Sequence, residues 1–164
     1  MSDDGARARA LEAAQAALAA EHAAVYGYGV VGARSEGARR SDATAAYDAH
    51  RARRDTLART VRELGGDPVA ASAAYALPFA VRDDGAAVRL AVVLEEGVAG
   101  ACADLVRATD GDLRGVAALA LREAAVRAAR WRGGGVAFPG LAERADEPSD
   151  EPAEAAGPDP AATR

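Results

Sequence analysis

Apolar residues recur along most of the chain with the spacing of an α-helix. They return every three, four or seven residues, which places them on one face of a helix. No stretch alternates apolar and polar residues convincingly with the period of two that a half-buried strand needs. The pattern therefore predicts an all-α protein with four helices, over about residues 4–34, 41–64, 83–109 and 112–132.

The connections between the predicted helices have unequal lengths. Residues 35–40 join helices one and two, about two residues join helices three and four, and residues 65–82 lie between helices two and three. Short connections join antiparallel neighbours, whereas a long one can run the length of a bundle. Because the long connection is rich in apolar residues, we expect it to pack against the helices. This favours a ferritin-like four-helix bundle with a long crossover between helices two and three; an up-down bundle with a loose second loop is the alternative.

Charge divides the chain into a body and a tail. The formal net charge is −5, and residues 1–142 hold 18 Arg and 18 acidic residues, whereas residues 143–164 hold two Arg and seven acidic residues. The tail has no large apolar residue, so it cannot bury enough surface to fold. We therefore predict a helical domain over 1–142 and a disordered acidic tail over 143–164. The electroneutral body argues against nucleic-acid binding.

Other features bear on the cellular location. Cys102 is the single cysteine, so an internal disulfide is impossible. No uncharged apolar run reaches the roughly 18 residues that a membrane span needs. The acidic start, residues 1–4, lacks the basic and apolar regions of a signal peptide. We expect a cytoplasmic protein that is not embedded in a membrane.

Each predicted helix carries one ionisable residue on its expected apolar row. An unpaired buried charge is costly, so these residues need partners if they face the core. Three carboxylates and an imidazole, one from each helix, would meet in the centre of the bundle. They are Glu21, His50, Glu95 and Glu123.

The spacing of these residues resembles the four-helix carboxylate di-iron proteins. Those proteins place a Glu on each of two helices and a Glu-x-x-His on each of the other two. Here residues 47–50 read Tyr-Asp-Ala-His and residues 123–126 read Glu-Ala-Ala-Val, so one Glu and one His are replaced. Four of the six metal ligands that the resemblance implies are therefore kept.

The body of the chain also resembles an alanine-rich, ferritin-like domain family of unknown function found in actinobacteria. The resemblance covers about residues 8–143. It implies the fold specifically, but it implies almost nothing about an activity. The segments that carry it are AEHAAVYGYG at 20–29, YDAHR at 47–51, YALPF at 75–79, RAARWR at 127–132 and FPGL at 138–141.

Two hypotheses account for the four core residues. In the first, Arg side chains neutralise the carboxylates, because Arg54 lies one turn from His50, and Arg127 and Arg130 lie one and two turns from Glu123. In the second, Glu21, His50, Glu95 and Glu123 bind iron or manganese in an oxidase or a metal carrier. We favour the first hypothesis, without a cofactor and without enzymatic activity. The expected buried cluster is Glu21, Tyr47, His50, Arg54, Glu95, Glu123, Arg127 and Arg130.

Predicted partners follow from composition. Alanine fills 47 positions, so the core is slender and association as a homodimer is expected to support it. Helix two is rich in Arg, which is typical of a nucleic-acid surface, but acidic residues alternate with these Arg residues. We favour a surface or dimer face laced with salt bridges. An Arg-rich module that binds an unidentified partner is a third, weaker hypothesis for the function.

Overall fold

A computed structural model describes residues 3–133 of the chain. Its regular secondary structure is all α-helix, with no strand within residues 3–133, as the hydrophobic pattern predicts. The predicted acidic tail, residues 143–164, lies outside the described residues, and so does the boundary predicted at residue 142. The helices are α1 (Asp3–Arg34), α2 (Gly37–Glu63), α3 (Asp84–Ala108) and α4 (Gly111–Arg132).

The turn between α1 and α2 is shorter than the sequence suggests. Helix α2 begins at Gly37 instead of near Ser41, so only two residues separate the helices. Gly37 has φ +54°, which non-glycine residues rarely adopt, and this allows the sharp reversal. The Arg40 side chain donates a hydrogen bond to the Ser35 carbonyl at 2.8 Å. The predicted start was wrong because Ser41 is a good helix N-cap by type, whereas the positive φ of Gly37 lets the helix begin four residues earlier.

The end of α2 follows the glycine signal in the sequence. Gly65 has φ +87°, and its N–H donates to the Arg62 carbonyl at 2.9 Å. The N–H of Gly66 donates to the Val61 carbonyl at 3.0 Å. Together these bonds satisfy carbonyls that the end of a helix leaves free, and they turn the chain away from α2.

The core shows how the helices are oriented. Tyr28, near the end of α1, shares a core cluster with Ala43 near the start of α2 and with Leu90 near the start of α3. Leu18, earlier in α1, shares another cluster with Leu57 and Leu105, which lie later in α2 and α3. Helix α1 is therefore antiparallel to both neighbours, and α2 and α3 run in the same direction. Helix α4 packs against α3.

The linker between α2 and α3 follows the surface of α1. The Gln15 side chain donates to the Asp67 carbonyl at 2.5 Å and accepts from the Val69 N–H at 2.9 Å. About two turns further along α1, Nε2 of His22 lies 3.1 Å from the Val69 carbonyl oxygen. The Tyr75 ring lies 5.5 Å from that of Tyr26, between centroids. The linker is thus packed along α1, as its apolar composition suggests.

Small residues let the helices approach closely. A Cβ atom on Gly27 of α1 would lie only 2.5 Å from a methyl carbon of Leu94 in α3, so a side chain here would require Leu94 to shift. All four buried residues of α4 are alanines. The helices are therefore close enough for polar side chains to span the space between them. None of the helices within residues 3–133 is both long and apolar enough to cross a membrane.

Candidate functional site: a buried ion-pair cluster

Three ionisable side chains from three helices meet in the core. Glu21 of α1, His50 of α2 and Glu95 of α3 are each completely inaccessible to solvent. Nδ1 of His50 lies 2.6 Å from Oε2 of Glu21, and Nε2 of His50 lies 3.1 Å from Oε1 of Glu95. The imidazole therefore bridges two carboxylates that belong to different helices.

These contacts determine the protonation of His50. An ionised carboxylate only accepts hydrogen bonds, so both ring nitrogens must carry a proton to satisfy both contacts. Burial disfavours the charged imidazole, but the hydrogen bonds to Glu21 and Glu95 and their negative charges outweigh burial and raise the pKa of His50 above its ordinary value. His50 is thus held as an imidazolium between two carboxylates.

Arg53 of α2 connects the buried pair to helix α4. Its Nη1 donates to Oε1 of Glu21 at 3.3 Å, and its Nη2 donates to Oε2 of Glu123. The Arg53 side chain is 14% exposed, whereas that of Glu123 is 53% exposed. The cluster therefore extends from the dry core, through one guanidinium, to a carboxylate at the surface.

Glu95 accepts hydrogen bonds from three side chains of the cluster. Its Oε1 accepts from the Tyr28 hydroxyl at 2.6 Å and from Nε of Arg127 at 2.7 Å, in addition to His50. Burial raises the pKa of the Glu95 carboxyl, but the hydrogen bond and charge of His50, together with Arg127, lower it below the ordinary value. Glu95 is therefore the ionised centre of the cluster.

The Tyr28 ring also covers the imidazole. It stacks on His50 with 5.2 Å between ring centroids and an angle of 24° between the planes. Burial, and then the negative charge of Glu95, raise the pKa of the Tyr28 hydroxyl, which therefore stays protonated and remains a donor. Tyr28 thus excludes water from His50 and donates a hydrogen bond to its partner.

The cluster balances its own charge. Three carboxylates, from Glu21, Glu95 and Glu123, face three cations: the His50 imidazolium and the guanidinium groups of two arginines. Two buried atoms of the cluster have no hydrogen-bond partner within the described part of the chain, namely Oε2 of Glu95 and Nη2 of Arg127. They belong to residues that already contact each other through other atoms.

Three residues that the sequence places in this cluster lie elsewhere. Arg54 bonds to its neighbour Asp55 at the surface, through Nη2 at 2.8 Å. Tyr47 is half-buried, with the Arg51 guanidinium 5.7 Å from its ring centroid. Arg130 is exposed. The expectation for Arg54 was wrong because residues three and four positions after His50 both lie one turn away, and the helix turns Arg53 inward.

The expected buried position of Glu123 was also wrong, because the inward face of α4 was misassigned. The sequence suggests that Glu123 shares a core row with Val116, Leu119 and Val126, but these three side chains are 40–59% exposed. The buried face consists of alanines, which approach α3 closely, and Glu123 lies at its edge. The buried residues of α4 are Ala117, Ala120, Ala124 and Ala128.

As arranged in this structure, the side chains do not fit a metal centre. Within residues 3–133, no group of three or more His, Cys, Asp or Glu side chains is disposed to hold a metal ion. Both nitrogens of His50 are engaged as donors to carboxylates, so the imidazole has no free lone pair to offer. Arg53 and Arg127 bring positive charge to the same carboxylates that would ligate the metal.

Tyr28 and Arg53 are the cluster residues whose contacts the sequence did not reveal. Tyr28 lies seven residues after Glu21, on the same helical row, and the sequence indicated only a general core and hydrogen-bonding role for it. Arg53 lies three residues after His50, which is as good a helical spacing as the four residues to Arg54. The available signal was this i, i+3 spacing, and it could not choose between adjacent arginines.

Comparisons with known proteins agree with the helical fold. The profile of a family described as a domain of unknown function (DUF4439) matches residues 13–143. The chain is similar to the crystal structure of a conserved hypothetical protein from Mycobacterium tuberculosis, with 38% sequence identity and a TM-score of 0.73. This similarity covers 80% of the present chain and 98% of that chain. No curated protein matches the chain.

Proposed function

Because the chain belongs to the DUF4439 family of domains of unknown function, we propose its function from its own geometry. It is a non-enzymatic, ferritin-like four-helix bundle in which a buried Glu/His/Arg network takes the place of a metal centre. The observation that carries this proposal is the position of His50, whose two ring nitrogens both lie within hydrogen-bond distance of carboxylate oxygens.

The ferritin-like connectivity rests on the path of the linker. Helices α2 and α3 run in the same direction, which requires the chain to return along the bundle between them. The contacts of the linker with Gln15 and then with His22 and Tyr26 follow α1 from its first half to its second half. These contacts support a crossover that runs along the bundle, and they argue against a loose loop.

The network is proposed to stabilise the bundle and to specify how its helices pair. Its members come from all four helices, and each ion pair joins different helices. Removing one partner of a buried pair leaves an uncompensated charge, which costs about 3–5 kcal/mol. A bundle that paired its helices differently would leave Glu21 and Glu95 in that unfavourable state.

No cofactor is part of this proposal, because positive charge is already supplied within the protein. In the four-helix carboxylate di-iron proteins, the charge of the metal ions balances that of the carboxylates. Here His50, Arg53 and Arg127 provide three positive charges next to the same type of carboxylate. A divalent ion would have to displace the protons on His50 and at least one guanidinium.

Metal loading tests the proposal. The full chain, without an affinity tag, is incubated anaerobically with excess ferrous iron or manganese, desalted and analysed for elemental content. We expect no stoichiometric metal in the native protein and none in the Glu123→Ala variant. Stoichiometric iron or manganese in the native protein that disappears in Glu123→Ala would overturn the proposal and favour an oxidase or a metal carrier. Circular dichroism confirms that the variant is folded.

The homodimer stays a prediction, and the outer face of α4 offers a test of it. Val116, Leu119 and Val126 form an exposed apolar row on this helix. If two copies associate through this row, Leu119→Lys will shift sedimentation velocity from a dimer to a monomer, whereas Arg122→Ala on the same helix will not. A monomeric native protein would contradict the prediction of a homodimer.

A further inference from the structure

A cleft separates α2 and α4 beside the buried cluster. Helix α1 packs closely against α2 and α3, and α3 against α4, but the described parts of α2 and α4 have no comparably close backbone contact. The resulting space has a volume of about 370 Å³, in the range of small-molecule sites. It is lined by Arg39, Asp42, Ala45, Ala46, Arg127, Arg130 and Trp131.

The polar lining of the cleft is mainly cationic. Among the described residues that line it are three arginines and one acidic residue, Asp42. Arg39 is paired with Asp84, and Arg127 uses its Nε for Glu95. Within residues 3–133, Nη2 of Arg127 is buried without a partner, and no hydrogen bond or ion pair is seen for the exposed Arg130. Two arginines of the cleft therefore have donors that no group of this part of the chain uses.

The other lining residues give the cleft an apolar wall. The Trp131 side chain is half-buried and packs against the core, with its ring 6.4 Å from that of Tyr28 between centroids. Ala45 and Ala46 supply small side chains from the opposite helix. An indole held by its neighbours presents a rigid surface on which a flat or apolar group can stack.

We propose that this cleft binds a small organic anion. Arg127 and Arg130 hold its carboxylate or phosphate group, since a guanidinium fork matches the oxygens of both groups. The apolar part of the anion packs against Trp131 and the two alanines. The site borders the buried network and shares Arg127 with it: Nε of Arg127 binds Glu95, and the anion takes donors that the network leaves free.

The single tryptophan of the chain makes the proposal directly measurable. Because Trp131 lines the cleft, its fluorescence reports on occupancy without a label. The full chain is titrated with phenylacetate, phenyl phosphate, inorganic phosphate and benzyl alcohol. We expect saturable changes with the two organic anions, weaker binding of inorganic phosphate and none of the neutral alcohol. The tighter of the two organic anions identifies the headgroup that the cleft prefers.

Substitutions of opposite sign separate specific binding from a general charge effect. Arg130→Ala removes a guanidinium for which residues 3–133 provide no partner, so we expect the fold to be retained and the affinity to fall about tenfold. Arg122→Ala removes the same charge from the same helix outside the cleft and is expected to leave the affinity unchanged. Asp42→Asn removes a negative charge from the lining of the cleft and is expected to tighten binding about threefold.

The proposal is overturned if neither organic anion gives a saturable change, or if benzyl alcohol binds as well as phenylacetate. It is also overturned if Arg130→Ala and Arg122→Ala have the same effect, since the charge of the whole protein would then explain the binding. Circular dichroism and thermal unfolding of each variant verify that its fold is unchanged.

Discussion

The Nδ1 atom of His50 lies 2.6 Å from Oε2 of Glu21, and both side chains are completely buried. This contact joins α1 to α2 in the driest part of the core, where a charge without a partner is most costly. Both partners therefore depend on each other, and the stability of the bundle is sensitive to the loss of either one.

Loss of the Glu21 charge is expected to destabilise the protein strongly. Glu21→Gln leaves the His50 imidazolium and the Arg53 guanidinium with one carboxylate fewer in the core, so the free energy of unfolding should fall by about 3 kcal/mol or more. Urea denaturation followed by circular dichroism measures this change.

Glu123→Gln is the matched control for Glu21→Gln. The same chemical change occurs in a partner of the same arginine, but the Glu123 side chain is 53% exposed. Water compensates for the lost charge there, and the expected loss is within about 1 kcal/mol. Equal effects of the two substitutions would contradict the assignment of Glu21 to the core of the network.

Stability is expected to decline in alkaline solution because of His50. Its pKa in the folded protein is raised above the ordinary value of 6.5, so the folded state holds this proton more tightly than the unfolded chain. The resulting stabilisation is complete below about pH 6.5 and is lost as the pH rises through the raised pKa. Urea denaturation at about pH 5.5 and about pH 8.5 measures the difference.

Glu95 acts at the acidic end of the same pH profile. Its pKa in the folded protein is lowered from the ordinary value of 4.5. Its contribution is therefore present above about pH 4.5 and is lost as the pH falls through the lowered pKa. The contributions of the two residues to the free energy of unfolding are thus both complete between about pH 4.5 and about pH 6.5.

His22 provides the control for the alkaline decline, since the chain has only two histidines. We expect His50→Gln to lower stability at about pH 5.5 and to remove most of the dependence on pH between about pH 5.5 and about pH 8.5. His22→Gln should keep the dependence of the native protein. A decline that persists in His50→Gln would show that other groups cause it.

Two adjacent arginines of α2 are expected to contribute very differently to the free energy of unfolding. Arg53 contacts Glu21 and Glu123 and is 14% exposed, so Arg53→Ala should lower the free energy of unfolding by about 2 kcal/mol. Arg54 contacts only the exposed Asp55 among the described ion pairs, so Arg54→Ala should change it by no more than about 0.5 kcal/mol. Thermal and urea unfolding of both variants measure these changes in the free energy of unfolding. The reverse order would contradict the contacts described for α2.

The sequence predicted the helices and the three central residues because strong patterns surround them. Glu21, His50 and Glu95 lie on rows whose other members are mostly apolar, so the inward face of each helix could be recognised. The two glycines at 65–66 indicated the end of α2, because glycine readily adopts the positive φ with which helices often end. In these regions, local composition and tertiary packing agree.

The rest of the site depends on packing that the sequence does not encode locally. In α4 the larger apolar residues, such as Leu119, face outward, while alanines such as Ala124 face α3, because only small side chains fit the close approach of the helices. Hydrophobic periodicity alone therefore selected the wrong face. Arg53 and Arg54 lie three and four residues after His50, and both spacings fit one turn of a helix. Only the tertiary structure shows which of the two points inward.

Nuclear magnetic resonance of the ring nitrogens shows whether His50 is an imidazolium held between two carboxylates. In protein labelled with ¹⁵N at histidine, with His50→Gln used for assignment, we predict that both nitrogens of His50 resonate as protonated nitrogens. This state should persist above the ordinary histidine pKa of 6.5 and remain unchanged when manganese or ferrous iron is added. An unprotonated ring nitrogen at about pH 6, or metal-dependent loss of the His50 signals alone, would show that His50 is not held as an imidazolium by Glu21 and Glu95.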